Sequence, residues 1–259
     1  MKITAQHYHR LIDLESGVQY QEPPVGGGHP FVAKSGEGKV ALSAPHGAKT
    51  YRNNRKQIWH EEDEYTAGLA LLLNEAVNVP VVAMMRQSLD YDPNYMAKCA
   101  YKDELGRLIQ QSGIQFVIDL HGAALFSDNL EPQQTIDLGL RNAEEAGYSM
   151  DVKHVEFLEN LLQASEGSYD PNCFVVKRNG FPAAGDGTVT TYVSRQIIKD
   201  NDKHVQAIQI EMKPQVRVAR RFPTASLYPS CGPYEAHPQC IMHMIQSLAD
   251  FVEYLNGLE

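Results

Sequence analysis

Ile114-Gln115-Phe116-Val117-Ile118-Asp119-Leu120-His121-Gly122 is an apolar run that ends abruptly on a histidine and a glycine. Phe116, Val117, Ile118 and Leu120 are its core, and a nearly continuous apolar run rich in β-branched residues suits a strand covered by helices on both faces. That is the environment of a parallel sheet in an α/β protein. Ligand sites in open α/β sheets lie just outside the carboxyl ends of strands, where His121 and Gly122 fall. Gly122 permits a turn there. Asp119 is close enough in sequence to partner His121, although strand alternation is read as pointing it to the other face.

The same pattern recurs at Lys39 to Gly47, where Val40, Ala41, Leu42 and Ser43 read as a strand and Ala44-Pro45-His46-Gly47 ends it. Either histidine alone reads more readily as a capped loop residue, but two at matching strand ends point to a shared ion. Neutral imidazole is the commonest metal ligand, and two histidines with one carboxylate leave a zinc position open for water, as in a hydrolase.

Working outward, Val79 to Met85 reads as a strand followed by Arg86 and the loop Asp90 to Asn94. Lys98 to Gln111 is then a helix ending at Gly113. This strand, helix, strand alternation predicts a largely parallel sheet with right-handed crossovers. Glu61 to Glu64 precede an Ala/Leu-rich helix, Ala67 to Ala76, whose N-terminus such acids favour through capping and the macrodipole. Leu138 to Ala146 and Asp151 to Leu162 follow as further segments, and Thr188 to Lys199 reads as a helix. Val205 to Met212 is another buried strand, with Glu211 as its outlier. Pro238 to Leu258 is an amphipathic helix with Ile241, Met244, Ile245, Leu248, Phe251, Val252 and Leu255 on one stripe. Residues 1–38, broken by Pro23, Pro24 and Gly26 to Gly28, read as an irregular lead-in with room for short flanking strands. The expected fold is a three-layer α/β/α sandwich with a mostly parallel mixed sheet, forming one catalytic domain over residues 1–259.

The 259 residues, 43% of them hydrophobic, suffice for a full core. A net charge of −9 without a basic run argues against nucleic acid or an anionic membrane as the main partner and leaves small molecules. Cys99, Cys173, Cys231 and Cys240 show neither CxxC spacing nor a disulfide framework, which suits reduced thiols and a cytoplasmic protein. Met1 to Gly17 carries acids and histidines instead of a secretory leader. No apolar stretch approaches the ~20 residues of a membrane helix.

Four groups thus converge: His46, an acid from Glu62 or Asp63, His121, and Glu211. The first three suit a zinc ion, and an unligated Glu211 suits a general base. Arg86, directly after a strand, and Arg217, shortly after Glu211, are candidates to clamp a substrate carboxylate or stabilise an oxyanion; Arg220 and Arg221 are less well placed. Two other readings are a phosphorylase-like transferase, with Gly26 to Gly28 or Gly185 to Gly187 as phosphate cradle, and a non-catalytic metal-binding protein.

Pro45-His46-Gly47, Glu62-Asp63 with Thr66, Arg86 with Asp90 and Asn94, Val117 to His121, Asp137-Leu138-Gly139 and Ile208 to Glu211 follow one another from about residue 40 to residue 215. In this order they resemble the N-formylglutamate amidohydrolase family, whose members are similar in fold to zinc-dependent exopeptidases. The resemblance implies one zinc ion held by His46, Asp63 and His121, with Asp63 preferred over Glu62 because Asp63 and Thr66 fit an Asp-x-x-Thr pattern. It implies Glu211 as general base and hydrolysis of an N-acyl (N-formyl) amino acid or a small peptide-like amide; Arg86, Asn94 and Arg217 are the candidate substrate-binding residues. There is one departure: the related pattern is Asn-Arg, but Asn94 is followed by Tyr95. Arg86 or Arg217 is then expected to supply the charge, unless the substrate lacks that carboxylate. His46-Gly47-Ala48-Lys49 also lacks the acid of a His-x-x-Glu pair, so the third ligand comes from farther along.

Overall fold

The structure, a computed structural model, describes residues 1–52, 58–141, 148–164, 174–196, 205–225 and 235–258. Its strands in chain order are β1 (Phe31–Lys34), β2 (Val40–Ala44), β3 (Thr50–Arg52), β4 (Ile58–His60), β5 (Val81–Met84), β6 (Phe116–Gly122), β7 (Ile136–Gly139), β8 (Val176–Arg178) and β9 (Gln206–Met212). The main helices are α1 (Ala5–Ser16), α2 (Thr66–Val77), α3 (Ala100–Ser112), α4 (Val152–Gln163) and α5 (Pro238–Asn256).

Seven strands form one sheet in the order β1-β5-β2-β6-β9-β7-β8, and β3 pairs with β4 in a separate two-stranded antiparallel sheet. The centre, β5, β2, β6 and β9, is parallel; β1 joins β5 antiparallel, and β7 is antiparallel to β9 but parallel to β8. Helices α1, α2, α4 and α5 pack together on one face, while α3 and the turns Val189–Thr191 and Tyr192–Gln196 lie on the other. The expected three-layer α/β/α architecture with a mostly parallel mixed sheet is what forms. β2 and β5 are buried throughout, so their side chains face helices on both sides. The apolar stripe of α5 is buried from Ile241 to Leu255, each such side chain contributing about 1.5–3 kcal/mol.

The lead-in is not irregular from end to end. Residues Ala5–Ser16 form α1, whose inward positions Tyr8, Leu11, Ile12 and Glu15 have helical spacing. The helical period is hidden in sequence because its last inward position is an acid. That acid replaces the capping expected from Glu61 to Glu64. α2 begins after Tyr65, which sits at φ 70° and gives no side-chain cap. The Glu15 carboxylate accepts the Tyr65 N–H at 2.5 Å and the Gly68 N–H at 2.8 Å, so it satisfies buried N–H groups of the helix start from across the core. A Cβ on residue 68 would lie 2.5 Å from the Glu15 Oε2, which explains the glycine. Freed of capping, Asp63 turns toward the sheet.

The helix expected over Thr188 to Lys199 is seen as the two short turns up to Gln196, with residues 197–199 outside the described residues. Leu138 to Ala146 begins in β7, and its residues 142–146 lie outside as well, as do Cys173 and Cys231. Among the described residues Cys99 and Cys240 are free thiols, and no helix is long and apolar enough to cross a membrane.

Candidate metal centre

β6 and β9 run side by side with His121 opposite Glu211 and Asp119 opposite Gln209. Residues two apart on a strand share a face. Asp119 therefore sits beside His121, not on the opposite face as the sequence was read, and its Oδ2 lies 3.1 Å from His121 Nε2. Gln209 relates to Glu211 in the same way, donating from Nε2 to Oε1 at 2.9 Å. These four side chains make a square on the sheet.

His46 follows β2 by two residues and leans over this square. Its Nε2 is 2.7 Å from Asp92 Oδ1, while its ring meets that of His121 edge-on with centroids 5.0 Å apart. A carboxylate oxygen can only accept, so both histidines donate from Nε2 and turn Nδ1 inward. Each Nδ1 lies 3.4 Å from the same atom, Asp63 Oδ2. His46, Asp63 and His121 offer ligand atoms that all lie within 4.8 Å of one another.

The donor set fits a metal ion. His46 Nδ1 is buried without a hydrogen-bond partner, and the carboxylates behind both Nε2 atoms fix the tautomer that a metal-binding imidazole needs. The charges agree. Burial disfavours an imidazolium, yet the charge of Asp92 and the contacts with Asp63 outweigh it and push His46 up to about 9. His121 is raised as well, burial being overcome chiefly by Asp119. For Asp63 burial works toward the neutral acid, but contacts with His121 and His46 hold it well below the usual carboxylate range. The carboxylates of Asp63, Asp92 and Asp119 thus favour positive charge in the space where an N, N, O donor set would hold a cation.

A cavity of about 620 Å³ opens over the centre, lined by His46, Asp63, His121 and Glu211 together with Arg52, Trp59, His60, Asn94 and Phe181 among others. Burial pushes the Glu211 carboxyl up to about 7, against the opposing charge of His121. Asn94 lines the cavity and accepts the Val189 N–H at 2.8 Å. The two expected arginine clamps are placed otherwise. Arg86 does not line the cavity, because the chain after β5 runs alongside residues 19–22 and its backbone N–H goes to Pro30 O. Arg217 is buried beneath Gly122, donating to Met212 O at 2.8 Å and to Glu64 O. A Cβ at Gly122 would lie 2.6 Å from its guanidinium, so that glycine makes room for Arg217 instead of making a turn.

Three residues escaped the sequence reading. Asp92 stands in the loop beside the Asp90 that was singled out, and Pro93-Asn94 after it was the available signal. Arg52 donates from Nε to Asp92 Oδ2 at 2.6 Å. His60 stacks on His46 with centroids 4.0 Å apart, and its Nδ1 must carry the proton because it faces Glu61 O at 2.7 Å. Burial, then the charge of His46, lowers its pKa to about 3. Of the glycine clusters, Val25–Gly27 forms a short turn before the edge strand, and Gly185 lines the cavity.

No family model matches the chain and no curated protein matches it in sequence. Among solved structures, the gene product Atu2144 from Agrobacterium tumefaciens is similar with a TM-score of 0.51 at 13% identity, over 88% of this chain and 95% of that one. A bacteriophage poly-gamma-glutamate hydrolase gives 0.48 at 10% identity over 92% and 94% of the two chains. Product-bound cell shape determinant protein Csd4 from Helicobacter pylori gives 0.46 at 14% identity, over 87% of this chain and 55% of that one. At such identities the likeness to Atu2144 is one of fold, and the family resemblance rests on the motifs themselves.

Proposed function

We propose that the chain is a zinc-dependent hydrolase that cleaves the amide bond of an N-acyl amino acid or a small peptide-like molecule. One observation carries this reading: two Nδ1 atoms and one carboxylate oxygen converge at the floor of an open cavity, with a separate carboxylate, Glu211, beside them. His46, Asp63 and His121 would hold the ion. When bound, it supplies Lewis acidity, polarising a carbonyl oxygen and making water more acidic.

Glu211 handles the proton. Gln209 pins one of its oxygens, so the other is left to take a proton from the attacking water and return it to the leaving nitrogen. The positive charge of an ion at the three ligands would favour the carboxylate form of Glu211, the form a base requires. Asp92 and Asp119 keep each imidazole in the tautomer that turns Nδ1 inward. A cavity of about 620 Å³ gives a small-molecule substrate room over the centre.

The test is elemental analysis of the purified protein together with a panel of N-formyl, N-acetyl and dipeptide amides. Stoichiometric zinc and release of free amine from one class are expected. Phosphate-dependent nucleoside cleavage by metal-free protein would overturn the reading in favour of a transferase.

A further inference from the structure

We propose that Arg52 seats a carboxylate of the substrate, so that the amide cleaved belongs to an anionic, peptide-like molecule; this rests on the hydrolase reading above. Among the described residues that line the cavity, Arg52 is the one lysine or arginine, and the other formal charges are the acids Glu61, Asp63 and Glu211. An anion entering this cavity is repelled by those acids. Away from the ion, Arg52 is the place where it is attracted.

Arg52 is also built to receive one. Its Nε donates to the buried Asp92 at 2.6 Å, and its guanidinium carbon lies 5.7 Å over the Tyr95 ring. Held from two sides, the group loses little freedom when a ligand arrives. A guanidinium has five N–H donors and Asp92 engages the Nε edge, so the remaining ones form the fork that matches a carboxylate. The Arg52 side chain is 30% exposed, which leaves that fork reachable, while that of Asp92 is fully buried. No arginine follows Asn94 in this chain; the position is Tyr95, and the guanidinium over its ring comes from β3 instead. Asp92 ties the same arginine to His46, so the anion seat and the metal centre share one buried carboxylate.

The experiment uses the full-length protein with its ion and a matched probe pair, 3-phenylpropionate and 3-phenylpropionamide, whose affinities are measured calorimetrically for wild type, Arg52→Gln and Arg52→Lys. Wild type should prefer the carboxylate, and Arg52→Gln should shrink that preference roughly ten- to a hundredfold, as loss of a hydrogen bond to a charged group does. Arg52→Lys should fall between, since an ammonium restores charge without the fork. Metal content and circular dichroism are read for each variant. An unchanged preference in both variants, or none in wild type, overturns the proposal. Loss of the ion from both would make Arg52 a brace of the centre, which overturns it too. If only Arg52→Gln loses the ion, Arg52→Lys decides by whether its preference falls. Binding is read without turnover. A protein that cleaves no amide yet shows the Arg52-dependent preference refutes the hydrolase reading alone. One that cleaves amides with an Arg52-independent preference refutes this inference alone.

Discussion

Asp92→Asn removes one charge and keeps the shape, and the structure says which contact must fail. Asp92 Oδ1 faces His46 Nε2 at 2.7 Å and accepts the Asn94 N–H at 2.8 Å, while Oδ2 accepts from Arg52 Nε at 2.6 Å. Asparagine has one acceptor oxygen and one NH2. Either the NH2 meets the Arg52 Nε–H, or, flipped, it meets His46 and the Asn94 N–H. A donor facing a donor beside the fully buried Asp92 side chain is costly. Loss of the outer carboxylate behind a metal-bound imidazole costs about 10–100-fold in metal affinity, or roughly 1.4–2.7 kcal/mol. We expect Asp92→Asn at the upper end, because either orientation of the amide leaves a donor facing a donor. Asp119→Asn should sit at the lower end: its one side-chain contact, 3.1 Å to His121 Nε2, survives with the amide oxygen turned inward. Competition titration of zinc against a chromophoric chelator measures both. Affinities indistinguishable from wild type, or a larger loss at Asp119 than at Asp92, would refute the reasoning.

His46→Ala and His121→Ala should each abolish stoichiometric zinc, and Asp63→Ala should weaken it more than Glu62→Ala; elemental analysis that gives the reverse order moves the third ligand by one residue. Glu211→Gln should keep the ion and the fold while turnover falls by about 10²–10⁴, the usual loss for a general base. Inactivity accompanied by loss of zinc would make Glu211 a ligand. Glu15 links stability to pH: burial pushes it up to about 7 from 4.5, against the hydrogen bonds from Tyr20, Tyr65 and Gly68. Between those values the folded chain binds the extra proton, so this group's stabilisation is present below 4.5 and lost as pH rises through about 7. The loss amounts to about 3 kcal/mol at ~1.4 per pKa unit. Urea melts across this range should show Glu15→Gln with a flatter profile than wild type, and identical slopes would rule the linkage out.

The parallel core was legible because apolar runs such as Val40 to Ala44 and Phe116 to Leu120 carry their own boundary, a histidine and a glycine where burial ends. His46, His121 and Glu211 stood out for the same reason, as polar residues at the margins of apolar runs, whereas the choice of Asp63 over Glu62 rested on the Asp-x-x-Thr resemblance. What sequence hid lies in contacts between distant segments. Glu15 caps a helix fifty residues away, and nothing near it announces that. Arg86 looked right because it follows a strand, yet β5 lies next to the edge strand β1, and the chain beyond it turns toward residues 19–22. Arg52 sits in a polar stretch with Arg55 and Lys56, where no local pattern distinguishes it.

The two histidines are supported by different parts of the fold, and this bears on how the centre responds to change. His121 and its partner Asp119 lie on one strand, with Gln209 and Glu211 fixed opposite by the parallel ladder. Their mutual placement follows from sheet geometry. His46 is placed by Asp92 from the loop after β5, and Asp92 is in turn held by Arg52 from β3. Asp63 reaches the same point from the approach to α2, whose start is fixed by Glu15. A substitution in the 90–95 loop therefore reaches the ion through His46, one in α1 through Asp63, and neither passes through His121. Among variants outside the sheet, metal affinity should track how firmly Asp92 and Glu15 are held, while the alignment of Glu211 with His121 stays as the strands set it.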